Sequence, residues 1–140
     1  MPLVRISVDS STTPSEREAI AQAVYEAMRA SIGITEGSKF ILVTPHGEAE
    51  RFIDPSLWGM KRTSRCIIIQ IVVIKGRTVE QKQALFARIA EGLQKAVGVS
   101  TDDVMTVLTE NSLSDWSFGK GEAQFVLNPP AWAKKAGEET

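Results

Sequence analysis

Two residues of this chain could act together on a small carboxylic acid, Pro2 and Arg77. Once Met1 is removed, Pro2 carries a secondary amine on a rigid ring. Partial burial near cations pushes such an amine toward its neutral form, in which it could accept a proton as a general base. The alternative is structural, because proline lacks a ladder N–H and is tolerated as the first residue of a strand.

Arg77 lies in the loop IKGRT at 74–78, which has the composition of an anion site. Gly76 allows a close backbone turn, the Arg77 guanidinium fits a carboxylate, and Lys75 adds charge. The first amides of the helix predicted to follow carry a partial positive charge. We therefore expect Arg77 and Lys75 to bind a carboxylate, and the alternative for Arg77 is a solvated surface charge.

The elements that must position these residues follow from a duplication of the chain. Residues 3–46 align with residues 68–111 at a constant offset of 65, so that LVRISV falls on IIQIVV. Two copies are too few for a solenoid. The two units should therefore pack on each other around one shared core, in a single domain over residues 1–140.

Each copy contains the same start and stop signals for a helix. The capping boxes TPSE at 13–16 and TVEQ at 78–81 predict two helix starts, and Gly33 and Gly98 stand where left-handed C-terminal caps are wanted. A second extended run follows each glycine, at 39–44 and at 104–109. Each copy therefore predicts a right-handed β–α–β unit with parallel strands.

A pseudo-twofold axis would pair the two first strands antiparallel at the centre of the sheet. This predicts an α+β fold, with a four-stranded mixed sheet and both helices on one face. The start of one central strand then meets the end of the other, which brings Pro2 beside the loop at 74–78. We also expect a short strand near 51–53 in the connector, and short hairpin strands in a C-terminal segment at 112–132 that serves oligomerisation.

Composition excludes several classes of function. The net charge of −1 gives no basic groove for nucleic acid, and no run of 18 apolar residues predicts a membrane span. His46 is the only histidine and Cys66 the only cysteine, so one chain cannot build a Cys/His metal cluster or a disulfide. We expect a cytoplasmic protein without metal or cofactor, and without nucleic-acid or membrane partners.

Three stretches resemble the tautomerase superfamily: the amino-terminal MP, GRTVEQK at 76–82, and ENSLSDWSFGKGEAQF at 110–125. The last is similar to the malonate semialdehyde decarboxylase branch of that superfamily. The resemblance implies a homotrimer of duplicated β–α–β units, in which Pro2 is the catalytic residue and Arg77 binds the substrate carboxylate. Lys75 stands where the decarboxylase has another arginine.

The same resemblance implies an apolar wall around the proline amine, formed by Trp116, Phe118 and Phe125. Ser38 matches the position at which the decarboxylase has an aspartate, which is a departure from that branch. The histidine, tyrosine and glutamate that related dehalogenases use are not evident at matching positions. Arg65 could reach a neighbouring site in a trimer.

The resemblance therefore favours a cofactor-independent tautomerase, an isomerase acting on 2-keto or enol carboxylic acids such as phenylpyruvate. An enzymatic alternative is a decarboxylase, hydratase or dehalogenase-like activity on three-carbon acids such as malonate semialdehyde. The non-enzymatic alternative is an idle oligomeric protein that binds small acids.

Overall fold

A four-stranded mixed sheet with two long helices on one face is the main feature of the computed structural model. The structure describes residues 2–136, and side chains as far as Ala133. The strands are β1 (Leu3–Asp9), β2 (Ile41–His46), β3 (Ile67–Ile74) and β4 (Val104–Asn111), in the order β2-β1-β3-β4. β1 runs parallel to β2, β3 runs parallel to β4, and the central pair β1 and β3 is antiparallel. The predicted fold is confirmed.

The two long helices, α1 (Pro14–Ile32) and α2 (Val79–Val97), begin at the predicted capping boxes. In both, the threonine hydroxyl accepts a hydrogen bond at 3.1 Å from the N–H three residues further on. Both helices end at the predicted glycines, Gly33 with φ of 62° and Gly98 with φ of 71°. Left-handed backbone of this kind favours glycine, so the sequence fixes both helix ends locally.

The core lies between the helices and one face of the sheet. Alternate residues of β1 and β3 face the helices and are almost completely buried, as are apolar residues at helical spacing in α1 and α2. The opposite face of the sheet is uncovered in a single chain. Its outer strands expose Leu42, Met105 and Val107 by 54%, 40% and 43%.

The predicted strand near 51–53 is wrong. Between β2 and β3, which the structure describes throughout, the chain forms two short 3-10 turns, Glu48–Glu50 and Leu57–Gly59. Arg51 has extended backbone angles, φ −124° and ψ 114°, but pairs with no strand. Extended backbone becomes a strand only where a second chain segment accepts its hydrogen bonds.

The hairpin strands expected in 112–132 are reduced to one antiparallel bridge between Gly119 and Glu122. A 3-10 turn (Leu113–Asp115) precedes the bridge, and the short helices α3 (Gln124–Leu127) and α4 (Ala131–Ala136) follow it. Gly119, Lys120 and Gly121 have φ of 148°, 59° and 67°. Positive φ angles at Lys120 and Gly121 suit a two-residue hairpin turn, but α3 begins at Gln124, two residues after the bridge, so the ladder does not continue.

Candidate active site

Pro2 is buried at the head of β1, beside the end of β3. The register pairs Leu3 with Val72, so Pro2 lies close to the point at which β3 ends. On the other side, the Val4 N–H donates to the Phe40 carbonyl at 2.9 Å. The antiparallel pairing of β1 with β3 therefore places Pro2 at the sheet edge from which the loop with Arg77 leaves.

Arg77 is half-buried, and backbone carbonyls hold its guanidinium. Nε and Nη2 donate to the Ile32 carbonyl at 3.4 and 3.2 Å, and Nη1 donates to the Ile74 carbonyl at 3.0 Å. Three of its five N–H donors are used in this way, so two remain for a ligand. Burial lowers the pKa of Arg77 and the Glu110 carboxylate opposes this, yet an arginine stays charged in proteins.

A cavity of about 550 Å³ opens beside Arg77. Loop residues 75–77 form one wall, and residues 33–35 after α1 form another. The remaining wall includes Phe125 and Trp132. A pocket with cations on one side and aromatic rings on the other suits a small carboxylic acid with an apolar substituent.

The predicted site residues are distributed unevenly around this cavity. Lys75, Arg77 and Phe125 line it. Lys75 is exposed, and its backbone N–H donates to the Asn111 carbonyl at 2.8 Å, which ties the loop to the end of β4. Pro2, Trp116 and Phe118 are not among the residues that line it. Pro2 lies beside the end of β3, where Arg77 donates to the Ile74 carbonyl.

The aromatic residues that the resemblance implied lie against one another, with Phe118 at the centre. The Phe118 ring centroid is 5.7 Å from Trp116, in a stacked arrangement, and 5.0 Å from Phe125, edge-on. The indole Nε1 of Trp116 donates to Asn111 Oδ1 at 2.8 Å, which fixes this group of rings at the end of β4. Apolar rings favour the neutral form of an amine that packs beside them. Phe118 itself is 39% exposed in a single chain.

Sequence reasoning missed two members of this aromatic group, Phe40 and Trp132. The Phe40 centroid is 6.4 Å from Phe118, and the Trp132 centroid is 6.3 Å from Phe125. Phe40 directly precedes the strand that pairs with β1, which is a signal that could have placed it near Pro2. Trp132 had no such signal, because a helix of only six residues positions it.

Ser38 and Arg65 lie at opposite ends of the molecule. Ser38 is 3% exposed, its hydroxyl is 2.8 Å from that of Thr35, and it lies two residues before the segment that bonds β1 near Pro2. Arg65 precedes β3 and forms an ion pair with Glu16 at 3.3 Å. The eight residues of β3 span roughly 23 Å, so Arg65 does not reach the site of its own chain.

Among the residues that the structure describes, no group of three or more histidine, cysteine, aspartate or glutamate side chains is arranged to hold a metal ion. None of the described helices is both long enough and apolar enough to cross a membrane.

Comparison with known proteins defines the class. Residues 38–119 match the model of a family described as a tautomerase enzyme. The probable tautomerase YusQ of Bacillus subtilis is 32% identical over 126 residues, which cover 90% of this chain and 99% of the relative. The chain therefore belongs to this tautomerase family, and it is an enzyme of the isomerase type.

Solved structures narrow the class to one branch. FG41 malonate semialdehyde decarboxylase, inhibited by 3-bromopropiolate, is 36% identical with a TM-score of 0.85, over 92% of this chain and 98% of that one. The chain belongs to this decarboxylase-like branch, which confirms the predicted resemblance. A fused 4-OT symmetric trimer, with a TM-score of 0.75 at 21% identity over 90% of this chain and 98% of that one, supports the fold alone.

Proposed function

We propose that this protein is a cofactor-independent tautomerase that uses the Pro2 amine as a general base on 2-keto or enol carboxylic acids. The observation that carries the proposal is the register of β1 with β3, which sets Pro2 beside the strand end whose carbonyl holds Arg77. A base and a carboxylate-binding cation at neighbouring positions are the minimum that tautomerisation needs.

In this mechanism, the substrate carboxylate binds the two free N–H donors of Arg77, and Lys75 adds charge at the rim. The Pro2 nitrogen removes a proton from the carbon next to the keto group. The resulting enolate is stabilised by the cations, and protonation of its oxygen completes the enol. The reverse direction returns the proton to carbon.

Burial supports the protonation state that this step requires. Pro2 is buried, and the guanidinium of Arg77 lies on the adjacent strand end. Desolvation and a nearby positive charge both disfavour a protonated amine. The mechanism also requires the removal of Met1, which lies outside the described residues, because an acylated proline nitrogen is an amide and cannot act as a base.

The direct test is the ketonisation of phenylenolpyruvate, followed by absorbance. General base catalysis contributes about 10²- to 10⁴-fold, so Pro2→Ala should lower kcat/KM by about two orders of magnitude or more. Pro14→Ala, at the start of α1, is the matched control and should leave the rate unchanged. Equal rates for the wild type and Pro2→Ala would remove proline as the base, and intact-protein mass spectrometry reports whether Met1 is present.

The second candidate is decarboxylation of malonate semialdehyde, or hydration or dehalogenation of related three-carbon acids. It is favoured by the 36% identity to a protein described as a malonate semialdehyde decarboxylase. Ser38, at the position of that branch's aspartate, weighs against it. Release of carbon dioxide from malonate semialdehyde faster than ketonisation of phenylenolpyruvate would reverse the order of the two candidates.

The uncovered face of the sheet supports a homotrimer. On this face, exposed apolar residues of the outer strands flank the polar Arg5 and Gln70 of the central strands, and another copy could cover them. A protein of the same fold is described as a symmetric trimer. A cytoplasmic location, and the lack of nucleic-acid and membrane partners, stay predictions.

A further inference from the structure

The duplication gives the molecule a second cavity, at the opposite end of the sheet from Pro2. The register of β1 with β2 repeats that of β3 with β4 at the offset of 65. The Ser10 N–H donates to the His46 carbonyl at 2.9 Å, as the Lys75 N–H donates to the Asn111 carbonyl at 2.8 Å. A cavity of about 600 Å³ beside His46 is therefore the counterpart of the candidate active site.

The residues near the two cavities differ between the two halves of the chain. At the offset of 65, Arg51 stands in place of Trp116 and Ile53 stands in place of Phe118, and both line the second cavity. Ile67, 1% exposed, is the counterpart of Pro2. The end of the sheet with the second cavity therefore has a cation at the position of Trp116, a ring of the aromatic group that lies outside the lining of the candidate active-site cavity, and it has isoleucine at the position of Pro2.

Arg51 is held much as Arg77 is held. Its Nη1 donates to the Ser64 carbonyl at 2.7 Å, and its Nη2 donates to the Cys66 carbonyl. Arg62 brings a second positive charge to the same cavity. The Arg62 Nε donates to the Asp102 carbonyl at 3.3 Å, while its Nη groups bond to nothing in the part of the chain that the structure describes.

At this cavity, His46 has a ring nitrogen without a hydrogen-bond partner among the described residues. This nitrogen, Nε2, is buried. In the other half, the Asn111 side chain accepts from Trp116, but the equivalent Arg51 is turned toward backbone carbonyls. A buried polar atom without a partner is uncommon in folded proteins. Because Nε2 is closed to solvent in this ring position, the imidazole must turn toward the cavity for a ligand oxygen or hydroxyl to supply the missing bond.

Two carboxylates line the cavity, and a third, that of Asp54, lies near enough to Arg62 to interact with its charge but forms no hydrogen bond with it. Asp9 Oδ2 already accepts hydrogen bonds from the Ser11 backbone N–H and hydroxyl, and Glu48 is exposed. The open donors of Arg62 then provide the fork that a carboxylate prefers.

We propose that this second cavity is a non-catalytic binding site for a small 2-oxo or 2-hydroxy carboxylate. The carboxylate binds at Arg62, with the charge of Arg51 nearby, and the oxygen at the second carbon pairs with His46. The site does not depend on proton transfer by Pro2, so it can be tested whether or not the proposed tautomerase activity is found.

His46 makes the test direct, because it is the only histidine and its two ring C–H signals are therefore assigned without ambiguity in an NMR spectrum. Pyruvate is titrated at constant pH, against sodium chloride at equal ionic strength. A saturable shift of the His46 ring signal is expected in the wild type and in Arg77→Ala. Arg62→Gln should weaken this binding at least about tenfold, whereas Arg88→Gln, an exposed cation of α2, should not.

Ser11→Asp is the second variant, since Ser11 is exposed and its replacement brings a negative charge to the cavity without disturbing the core. It should weaken pyruvate binding to a similar degree. The proposal is overturned if the wild type shows no saturable shift. It is also overturned if the shift disappears in Arg77→Ala but persists in Arg62→Gln and Ser11→Asp, because the pyruvate would then be bound at the other end of the sheet.

Discussion

Arg77 serves both the fold and the proposed chemistry. Its guanidinium joins the last carbonyl of α1 to the last carbonyl of β3, and the same group keeps two donors for a ligand. The composition of the loop predicted that Arg77 binds a carboxylate. It could not predict the bond to Ile32, which lies 45 residues away along the chain.

Replacing Arg77 with lysine distinguishes the contribution of the planar guanidinium from that of the positive charge. Arg77→Lys keeps the charge but loses the planar fork, so we expect kcat/KM for phenylenolpyruvate to fall by about ten- to a hundredfold. Lys75→Gln removes an exposed charge and should lower it by less than about threefold. Steady-state kinetics on both variants, with thermal melts to check folding, make the comparison. An unchanged kcat/KM in Arg77→Lys would contradict carboxylate binding by the guanidinium fork.

At the scale of elements, the side chain of Gln124 holds the loop that carries Phe118. Its Oε1 accepts from the Phe118 N–H and its Nε2 donates to the Gly119 carbonyl, both at 2.8 Å. These bonds close the turn that contains the three positive φ angles. Phe118 is thereby kept at the centre of the aromatic group, 5.0 Å from Phe125.

Loss of this contact should change the protonation of Pro2 rather than only stability. In Gln124→Leu the loop loosens and water reaches the amine more easily, so the pKa of the amine rises toward its ordinary value. Since the base must be neutral, the pH profile of kcat/KM should move to higher pH. Gln83→Leu, an exposed glutamine of α2, is the control. A profile that stays in place would show that Phe118 does not control the hydration of Pro2.

The contrast between the two helix starts and the C-terminal segment shows what the sequence can predict. The capping boxes and helix-ending glycines act over three or four residues, so their signals are complete within a short stretch. The turn at 119–121 includes Lys120 with φ of 59°, a conformation that its residue type does not indicate. Gln124, which lies outside the turn, holds it in place. The turn residues alone did not indicate this contact, and hairpin strands were predicted where only one bridge forms.

At the scale of the whole molecule, the internal repeat was enough to predict the sheet order and the position of Pro2. A pseudo-twofold arrangement brings the start of β1 to the end of β3 for any conformation of the loops. The repeat does not specify the loops, however. The connector and the C-terminal segment differ in sequence, and they give the two ends of the sheet different linings.

The uncovered sheet face gives a prediction at this scale. Val107→Lys adds a charge on the outer strand β4, at a position that the proposed trimer buries, so we expect it to convert the trimer into monomers because burying an unpaired charge is strongly unfavourable. Phe86→Lys, on α2 with 37% exposure, should keep the wild-type mass. Sedimentation velocity on the wild type and the two variants measures the mass of each assembly. A wild type that already sediments as a monomer, or a Val107→Lys variant of unchanged mass, would contradict this interface.

The most direct measurement is a titration of the Pro2 nitrogen itself, by nitrogen NMR of protein labelled with ¹⁵N-proline and freed of Met1. An ordinary α-amino group titrates near pH 8, and burial beside Arg77 should lower the pKa of the Pro2 amine below this range. Half-protonation clearly below pH 8 is the predicted result. Half-protonation at or above pH 8 would show a solvated, protonated amine at neutral pH, and would contradict the role of Pro2 as the base.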